Sequence, residues 1–395
     1  MSYSIDILET PEQIQEILPE WLTFLETKPL GMSVYNDPRF ILGDWEQSAF
    51  SSDGQKLHII VLRNEGQIGG IFPLVISKKR FVLNLSVYKR IQGPKIRQMS
   101  CYGDALIHEN DPNSNSALFS TLLEYLSVSV RFDMLYLQDF RTNTPFAQYC
   151  IENQNRFPIR IFDILSEPQF DHQIELPETF DQLLASRSSK HRYNMRREQS
   201  AFDKQFPETR LICCKNQEDV SYFLEKSDNV RQASWKSLTF GFVPQNTQKN
   251  REKFLSLARH GWLRSYLLLS KDEEPLAFVH GYEYYGVYYT QDMCFEQSYA
   301  NFSPGKKCLY RMVQELLSHN PPRLIDFGFG SAEYKRIWGN VMIPSTSVYF
   351  VRSIKGTFLV RMQKVINRFV LWCKRLLERW KVADRIRKIL RRQGG

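Results

Sequence analysis

Asn301-Phe-Ser-Pro-Gly-Lys-Lys-Cys308 is the segment on which the fold turns. Before it, Val287-Tyr-Tyr-Thr-Gln-Asp-Met293 is rich in aromatic and β-branched residues and reads as a strand. Ser303-Pro304-Gly305 reads as a loop, and Lys306 to Ser318 as a helix that Pro321-Pro322 stops. A helix start leaves backbone N–H groups unpaired, with the positive end of the dipole behind them. Such an end suits a phosphate or pyrophosphate. Gly305 lets that ligand approach the backbone, and Lys306 and Lys307 screen its charge. The plain alternative is an ordinary turn before an ordinary helix, since Ser-Pro-Gly is a common loop tripeptide.

Leu324-Ile-Asp-Phe-Gly-Phe-Gly-Ser-Ala-Glu-Tyr-Lys-Arg-Ile-Trp-Gly339 comes next. It reads as a buried strand, a glycine-rich exit and a short helix carrying Glu333, Tyr334 and Lys335. Gly328-Phe-Gly330 is not a dinucleotide fingerprint, because Glu333 stands where a third glycine is needed. Taken singly, Tyr334 and Trp338 read as packing residues. Upstream, Leu263–Leu269 and Leu276–Tyr282 are strand-like runs joined by a Glu273-Glu274-Pro275 turn. Thr179 to about Ala201 and Glu218–Ser234 read as polar helices before them.

The first half has the same order. The spacing of Ile14, Ile17, Leu18, Trp21, Leu22 and Leu25 after Pro11 predicts a helix, so the first forty residues read as helix and then loop. Leu57–Leu62 and Ile68–Ile76 flank Asn64-Glu65-Gly66, a hairpin signal. Ala117–Val128 reads as a helix and Met134–Gln138 as a strand. Helix, hairpin, helix and strand thus occur twice with little residue-level repetition, which points to a structural duplication.

At 395 residues the chain has room for about two to three domains. Its 43% apolar and 24% charged residues mark a globular protein. No run of 18 uncharged apolar residues predicts a spanning helix. Acidic residues stand where a signal peptide needs a basic region, so a cytoplasmic protein is expected. Seven Cys without C-x-x-C, and seven dispersed His without H-E-x-x-H, give neither a disulfide framework nor a metal spacing. No metal is expected.

The net charge of +9 is unevenly placed. From Lys355 onward thirteen Lys and Arg face only Glu378 and Asp384, a balance of +11, which leaves −2 for the rest. In that tail Phe358, Met362, Val365, Phe369, Trp372, Leu376, Trp380, Ala383, Ile386 and Leu390 step by three or four residues. Arg361, Lys364, Arg368, Lys374, Arg375, Arg379, Arg387 and Lys388 mostly fall between them. A basic amphipathic helix roughly 50 Å long is expected. Its stripe, its tryptophans and its basic flank suit an anionic membrane surface, and equally packing on its own protein or an oligomer. No sequence-specific nucleic-acid motif occurs.

Together, Ser303-Pro-Gly305 with its helix, Asp326-Phe-Gly328, and Glu333-Tyr-Lys335 with Trp338-Gly339 resemble the acyl-CoA N-acyltransferase (GNAT) superfamily. Within it they look like the branch related to CelD-type proteins of bacterial cellulose and exopolysaccharide biosynthesis. Gly70-Ile-Phe-Pro-Leu74 and Ser189-Lys-His-Arg-Tyr-Asn-Met-Arg-Arg197 fit that branch, and the resemblance covers roughly 40–350. It implies an α/β fold of two tandem GNAT-like mixed-sheet domains, 1–170 and 171–355, plus a helical tail, 356–395. The acyl-CoA cleft is implied in the second domain.

In that superfamily the strand before the phosphate loop diverges from its neighbour, and the cofactor's pantetheine arm lies in the gap. The matching strands here are 287–294 and 323–328. The family's loop is usually Arg/Gln-x-x-Gly-x-Gly/Ala; Ser303-Pro-Gly-Lys-Lys307 departs from it and matches the CelD-like variant. The resemblance therefore assigns Met293, Cys294, Ser303, Gly305, Lys306 and Lys307 to acetyl-CoA or a longer acyl-CoA. Tyr334 matches the tyrosine that protonates the leaving thiolate in many members.

Amine attack on a thioester needs alignment and oxyanion stabilisation, for which a backbone N–H near Met293 or Cys294 is suited. Asp292 is the first candidate for the base, with Glu283 and Glu296 in reserve; each also reads as a surface carboxylate. Glu283, Tyr289 and Lys335 are the expected acceptor-side residues. Cys294 has no His or Asp partner in sequence and reads as a buried thiol. Arg187, Lys190, Arg192, Arg196 and Arg197, with His191 and Tyr193, form either a solvated face or an anion site.

The expected function is transfer of an acyl group, acetyl first, to an amine or hydroxyl of a polysaccharide precursor or related small molecule. One rival is aminoacyl transfer from tRNA, as in the Fem-type transferases with similar tandem folds. The other is a degenerate, membrane-associated scaffold.

Overall fold

The computed structural model describes residues 2–47, 54–85, 90–101, 106–165, 167–234, 237, 241–330 and 332–379. Two compact units form: Met1–Phe170 with the chain returning from Ile343, and Asp171–Met342. The first contains β1 (Tyr3–Leu8), α1 (Pro11–Glu16), α2 (Leu18–Glu26), α3 (Pro38–Gln47), β2 (Lys56–Asn64), β3 (Gln67–Asn84) and β4 (Arg90–Cys101). After these come β5 (Ile107–His108), α4 (Pro112–Val128), β6 (Met134–Arg141), α5 (Pro145–Glu152) and β7 (Arg160–Asp163).

The second runs through β8 (Gln169–Glu175), α6 (Phe180–Ala185), α7 (Ser189–Gln205), β9 (Arg210–Cys214), α8 (Gln217–Gln232) and α9 (Gln248–Arg259). It continues with β10 (Ser265–Leu269), β11 (Pro275–Tyr284), β12 (Val287–Phe295), α10 (Pro304–Ser318), β13 (Leu324–Phe329) and α11 (Glu333–Trp338). The chain ends in β14 (Val341–Val351) and α12 (Ile354–Arg379).

The expected β2–β3 hairpin forms, and β11 turns into β12 on the same geometry. Glu65-Gly66 has φ of 50° and 84°, and Tyr285-Gly286 has 46° and 74°. Two positive φ values in a two-residue loop are type I′ geometry, whose twist matches the strands it joins. In the first unit β1, β2, β3 and β4 pair antiparallel in turn, β4 pairs β6 parallel, and β6 pairs β14 antiparallel. In the second, β9, β10, β11 and β12 pair antiparallel, β12 pairs β13 parallel, and β13 pairs β8 antiparallel. The duplication lies in this order of strands.

Each unit has its own core. In the first, Leu118, Leu122 and Leu126 of α4 meet Ile60, Leu62, Phe72, Leu74 and Met99 of the sheet. In the second, Leu309, Met312, Val313 and Leu316 of α10 give the i, i+3, i+4, i+7 stripe that covers Tyr266, Leu268, Val279 and Tyr288.

Several elements differ from expectation. The chain opens with a strand, since Tyr3, Ile5 and Ile7 alternate with Ser4 and Asp6 and pair with β2. The long helix expected from Thr179 is two helices, each with its own cap: Thr179 and Gln182 form a capping box, and Ser188 accepts the His191 N–H.

The second unit closes at Met342, not at 355, because β14 pairs β6 and β7 through Phe350↔Leu135 and Phe350↔Ile161. The separate tail expected from 356 is instead a helix starting at Ile354. Its Leu359 and Val360, with Met362 and Ile366, pack on Phe81, Leu83 and Ile96 of the β3–β4 arm. Residues 380–395, with Trp380, Ala383, Ile386 and Leu390, lie outside the described residues. Among the described residues no helix is long and apolar enough to cross a membrane.

Candidate functional site

The parallel pairing of β12 with β13 lasts three residues, from Val287↔Leu324 to Tyr289↔Asp326. β12 continues to Phe295 on its β11 side, and Phe329 of β13 pairs with Asp171 of β8. Past Tyr289 and Asp326 the two strands therefore part. Asp326 braces the point of parting: its Oδ1 accepts the Gly328 N–H at 2.7 Å and its Oδ2 accepts Gln173 Nε2 at 2.7 Å. Gly328 has φ of 66°, which favours glycine where the chain turns out of the strand.

Tyr334 and Asp292 both follow the point of parting, and Tyr334 feels the charge of Asp292. Tyr334 packs edge-on against Phe327 with ring centroids 5.8 Å apart. Burial, and then the charge of Asp292, push its phenol up to about 12. Asp292 Oδ2 lies 2.8 Å from Arg231 Nη1, and its Oδ1 accepts the Met293 N–H at 2.9 Å. The Met293 donor expected for an oxyanion is thus held by the neighbouring carboxylate. Cys294 is buried, as its bland reading required.

The remaining candidates go elsewhere. Glu283 pairs in register with Tyr288 and Asp292 with His280, which puts the two carboxylates toward opposite ends of β12. Glu283 Oε2 lies 2.6 Å from Nη1 of buried Arg264, whose Nη2 is 3.1 Å from Glu315 Oε2. Burial alone would lower the Arg264 guanidinium, but Tyr266, Glu283 and Glu315 outweigh it and raise it. Glu283 therefore ties strand to helix and does not reach the gap. Glu296 caps a short 3₁₀ turn by accepting the Ser298 N–H at 3.2 Å. Tyr289 stacks on Tyr282 at 4.9 Å. Lys335 Nζ donates to the carbonyls of Phe329 at 2.7 Å and Gly328 at 3.2 Å, so it clamps the glycine exit.

The Ser303–Lys307 loop is less cationic than its sequence. Lys306 Nζ lies 2.8 Å from Glu198, and Lys307 Nζ 2.8 Å from Asp203, both carboxylates on α7. Lys307 is buried, which lowers its ammonium, while Asp203 opposes that. Ser303, with φ of 55°, receives the Lys306 and Lys307 N–H groups on its carbonyl at 3.0 and 3.2 Å. Gly305 is buried, and a Cβ there would stand 3.0 Å from Phe295 Cδ1, so its small size lets α10 approach β12. What remains for a pyrophosphate is the positive end of a 15-residue helix. The first unit repeats the three-residue parallel pairing, from Gln98↔Met134 to Ser100↔Tyr136. Its helix α4, however, is capped by Asp111, which accepts the Asn113 N–H at 3.0 Å. A carboxylate occupies that helix start.

The basic helix α7 divides. Arg187 Nη2 donates to the Trp338 carbonyl and Arg192 Nη1 to the Arg187 carbonyl, whereas Lys190, Tyr193, Arg196 and Arg197 are exposed. Sequence reading missed Arg231 and His280. Arg231 carried no signal beyond Asp228 one turn earlier, 3.7 Å away in the fold. His280 stacks on Phe254 at 4.2 Å and its Nδ1 meets Ser265 Oγ at 2.9 Å. Burial, then Lys253, lower its imidazole to about 3, so it is neutral.

Residues 189–336 match the Acetyltransferase (GNAT) domain family. No curated protein matches the chain. A crystal structure of FemX is 11% identical with a TM-score of 0.56, over 89% of this chain and 97% of that one. L-PGS from Bacillus licheniformis is 10% identical with a TM-score of 0.49, over 91% and 97%. A tandem GNAT protein from the clavulanic acid biosynthesis pathway is 10% identical with a TM-score of 0.45, over 89% and 99%. At 11% identity the likeness to FemX concerns the fold. Residues 189–336 of the second unit are thus similar to the Acetyltransferase (GNAT) domain family, and the parted strands lie within them.

Proposed function

We propose that the second unit transfers an acyl group, acetyl first, from acyl-CoA to an amine or hydroxyl of a polysaccharide precursor or related small molecule, in a CelD-like setting. The observation that carries this reading is the parting of β12 and β13, with Tyr334 and Asp292 past it. The backbone of 292–295 suits an extended pantetheine arm, and the start of α10 suits the pyrophosphate.

In the proposed step the acceptor nitrogen bonds to the thioester carbonyl carbon and the carbon–sulfur bond breaks. The nitrogen releases one proton to solvent, and the departing sulfur gains one from Tyr334, which is later reprotonated. A phenol kept neutral by burial still has that proton at neutral pH. Asp292 acts as a positioning residue, since Arg231 and the Met293 N–H engage both its oxygens.

Aminoacyl transfer from tRNA is the second reading, favoured by exposed Lys190, Arg196 and Arg197 on α7. Calorimetry with acetyl-CoA and longer acyl-CoAs separates the two. Saturable heat with an acyl-CoA supports the first. Silence with every acyl-CoA, alongside transfer from aminoacyl-tRNA, selects the second; silence in both assays leaves a scaffold.

A further inference from the structure

Helix α12 has two apolar faces, and the fold uses one. Leu359, Val360, Met362 and Ile366 pack on the β3–β4 arm, and Gln363 Oε1 accepts the Asn84 N–H at 2.8 Å. On the other side Ile354, Phe358, Val365, Phe369 and Trp372 are 91, 65, 65, 61 and 57% exposed. At 3.6 residues per turn these five fall within a stripe roughly 60° wide. Arg361, Arg368 and Arg375, all exposed and seven residues apart, form a row along one edge of that stripe. Arg375 also lies 3.8 Å from Glu167, an exposed pair of little weight.

The surroundings share this charge. No Asp or Glu occurs from Ser353 to Leu377, nor from Gly66 to Gly103, the segment that contains the arm under the helix. Lys78, Lys79, Arg80, Arg90, Lys95 and Arg97 of that arm are exposed. Helix and arm thus give this end of the first unit a positive field.

We propose that the bare face of α12 lies on the surface of an anionic lipid bilayer. The apolar stripe enters the boundary between headgroups and acyl chains, and the arginine row meets lipid phosphates at its edge. A second copy fits poorly. A two-fold contact sets the same patch against itself, and its three arginines would face one another with only Glu167, beside Arg375, to answer them. A nucleic acid would satisfy the arginines and leave five large apolar side chains in water. Only a lipid surface offers both an apolar layer and anions.

The test uses the full chain with vesicles of phosphatidylglycerol and phosphatidylcholine, and with phosphatidylcholine alone. Sedimentation with the anionic vesicles at low salt is expected, with release as salt rises. Arg361→Glu/Arg368→Glu/Arg375→Glu should weaken partitioning on the order of 10²-fold, and Arg368→Glu alone about fivefold or more. Phe369→Ser/Trp372→Ser should weaken it about tenfold or more. These side chains are exposed, so melting temperature and acyl-CoA binding should stay at parental values. Full-length protein left in the supernatant at low salt overturns the proposal. So does vesicle binding that ignores the Ser variant, or a dimer that the Ser variant dissolves.

Discussion

Arg231 Nη1 stands 2.8 Å from Asp292 Oδ2, while the other carboxylate oxygen holds the backbone N–H of Met293 at 2.9 Å. One side chain thus links helix α8 to β12 past the point where that strand leaves its parallel neighbour. The arginine also lies over the Phe278 ring, 4.9 Å from its centroid, which fixes it from a second side. Asp292 is consequently an oriented charge, and Tyr334 feels it.

Asp292→Asn keeps the shape and removes the charge. The Tyr334 phenol should then titrate below about 12, while burial, the larger cause, still holds it above the ordinary value. Ultraviolet phenolate titration of Asp292→Asn, with Asp292→Asn/Tyr334→Phe as the blank, reads that one group. An unmoved titration would show that the two residues do not interact.

Tyr334→Phe should lower turnover roughly 10²–10⁴-fold with acyl-CoA affinity retained. Because the folded phenol titrates near 12 and an unfolded one near 10, its proton persists through the alkaline range. Turnover of the parent should show no loss from this group below about pH 10. The stability held by the neutral phenol should be lost as pH rises from about 10 toward 12. An unchanged rate in the variant would return Tyr334 to packing alone.

Gly305→Val tests a position that packing controls as much as ligand approach. The added atoms meet Phe295, so a stability loss of about 1–3 kcal/mol is expected together with weaker acyl-CoA binding. Gly305→Val/Phe295→Leu should recover most of the melting temperature and leave binding impaired. Full recovery of binding in the double variant would mean that the helix start does not touch the cofactor.

Glu198→Gln/Asp203→Asn releases Lys306 and Lys307 from their partners on α7. If the helix start receives a pyrophosphate, acyl-CoA binding should tighten about fivefold, roughly 1 kcal/mol, carried by Lys306, whose pair is the more exposed. Unaltered affinity would place both lysines outside the reach of the cofactor.

His280 is neutral in the fold, at about 3 against an ordinary 6.5. Below 6.5 the unfolded chain takes up a proton that the folded chain refuses, so stability should fall as pH drops from 6.5 toward 3. The slope is about 1.4 kcal/mol per pH unit for one proton. In His280→Asn that share should vanish from denaturant-derived stabilities, and an equal slope in parent and variant would contradict it.

Much of the second unit was legible because its signals are local. Strand, Ser-Pro-Gly loop and helix lie within 287–318, and Glu65-Gly66 has the positive φ that its hairpin signal implies. Capping boxes at Thr10 and Thr179 are four-residue patterns, equally local. The partners of Glu283 and Lys335 were not legible, for the opposite reason. Nothing near Glu283 shows that Arg264, nineteen positions away, will be buried against it, and no local pattern shows that Lys335 will close on carbonyls of the strand exit.

The sequence by itself determined the α/β class, the duplicated order of elements, the candidate cofactor helix and the concentration of positive charge after Lys355. These follow from periodicity, turn chemistry and counting, which act over a few residues. Only the tertiary structure decided that Lys306 meets Glu198 across 108 positions, or that Gln363 meets Asn84 across 279. It alone returned β14 to the first unit and divided the apolar residues of α12 into a docked face and a bare one. Helical spacing shows that a side chain can be covered; what covers it depends on which distant surface the fold brings to that face.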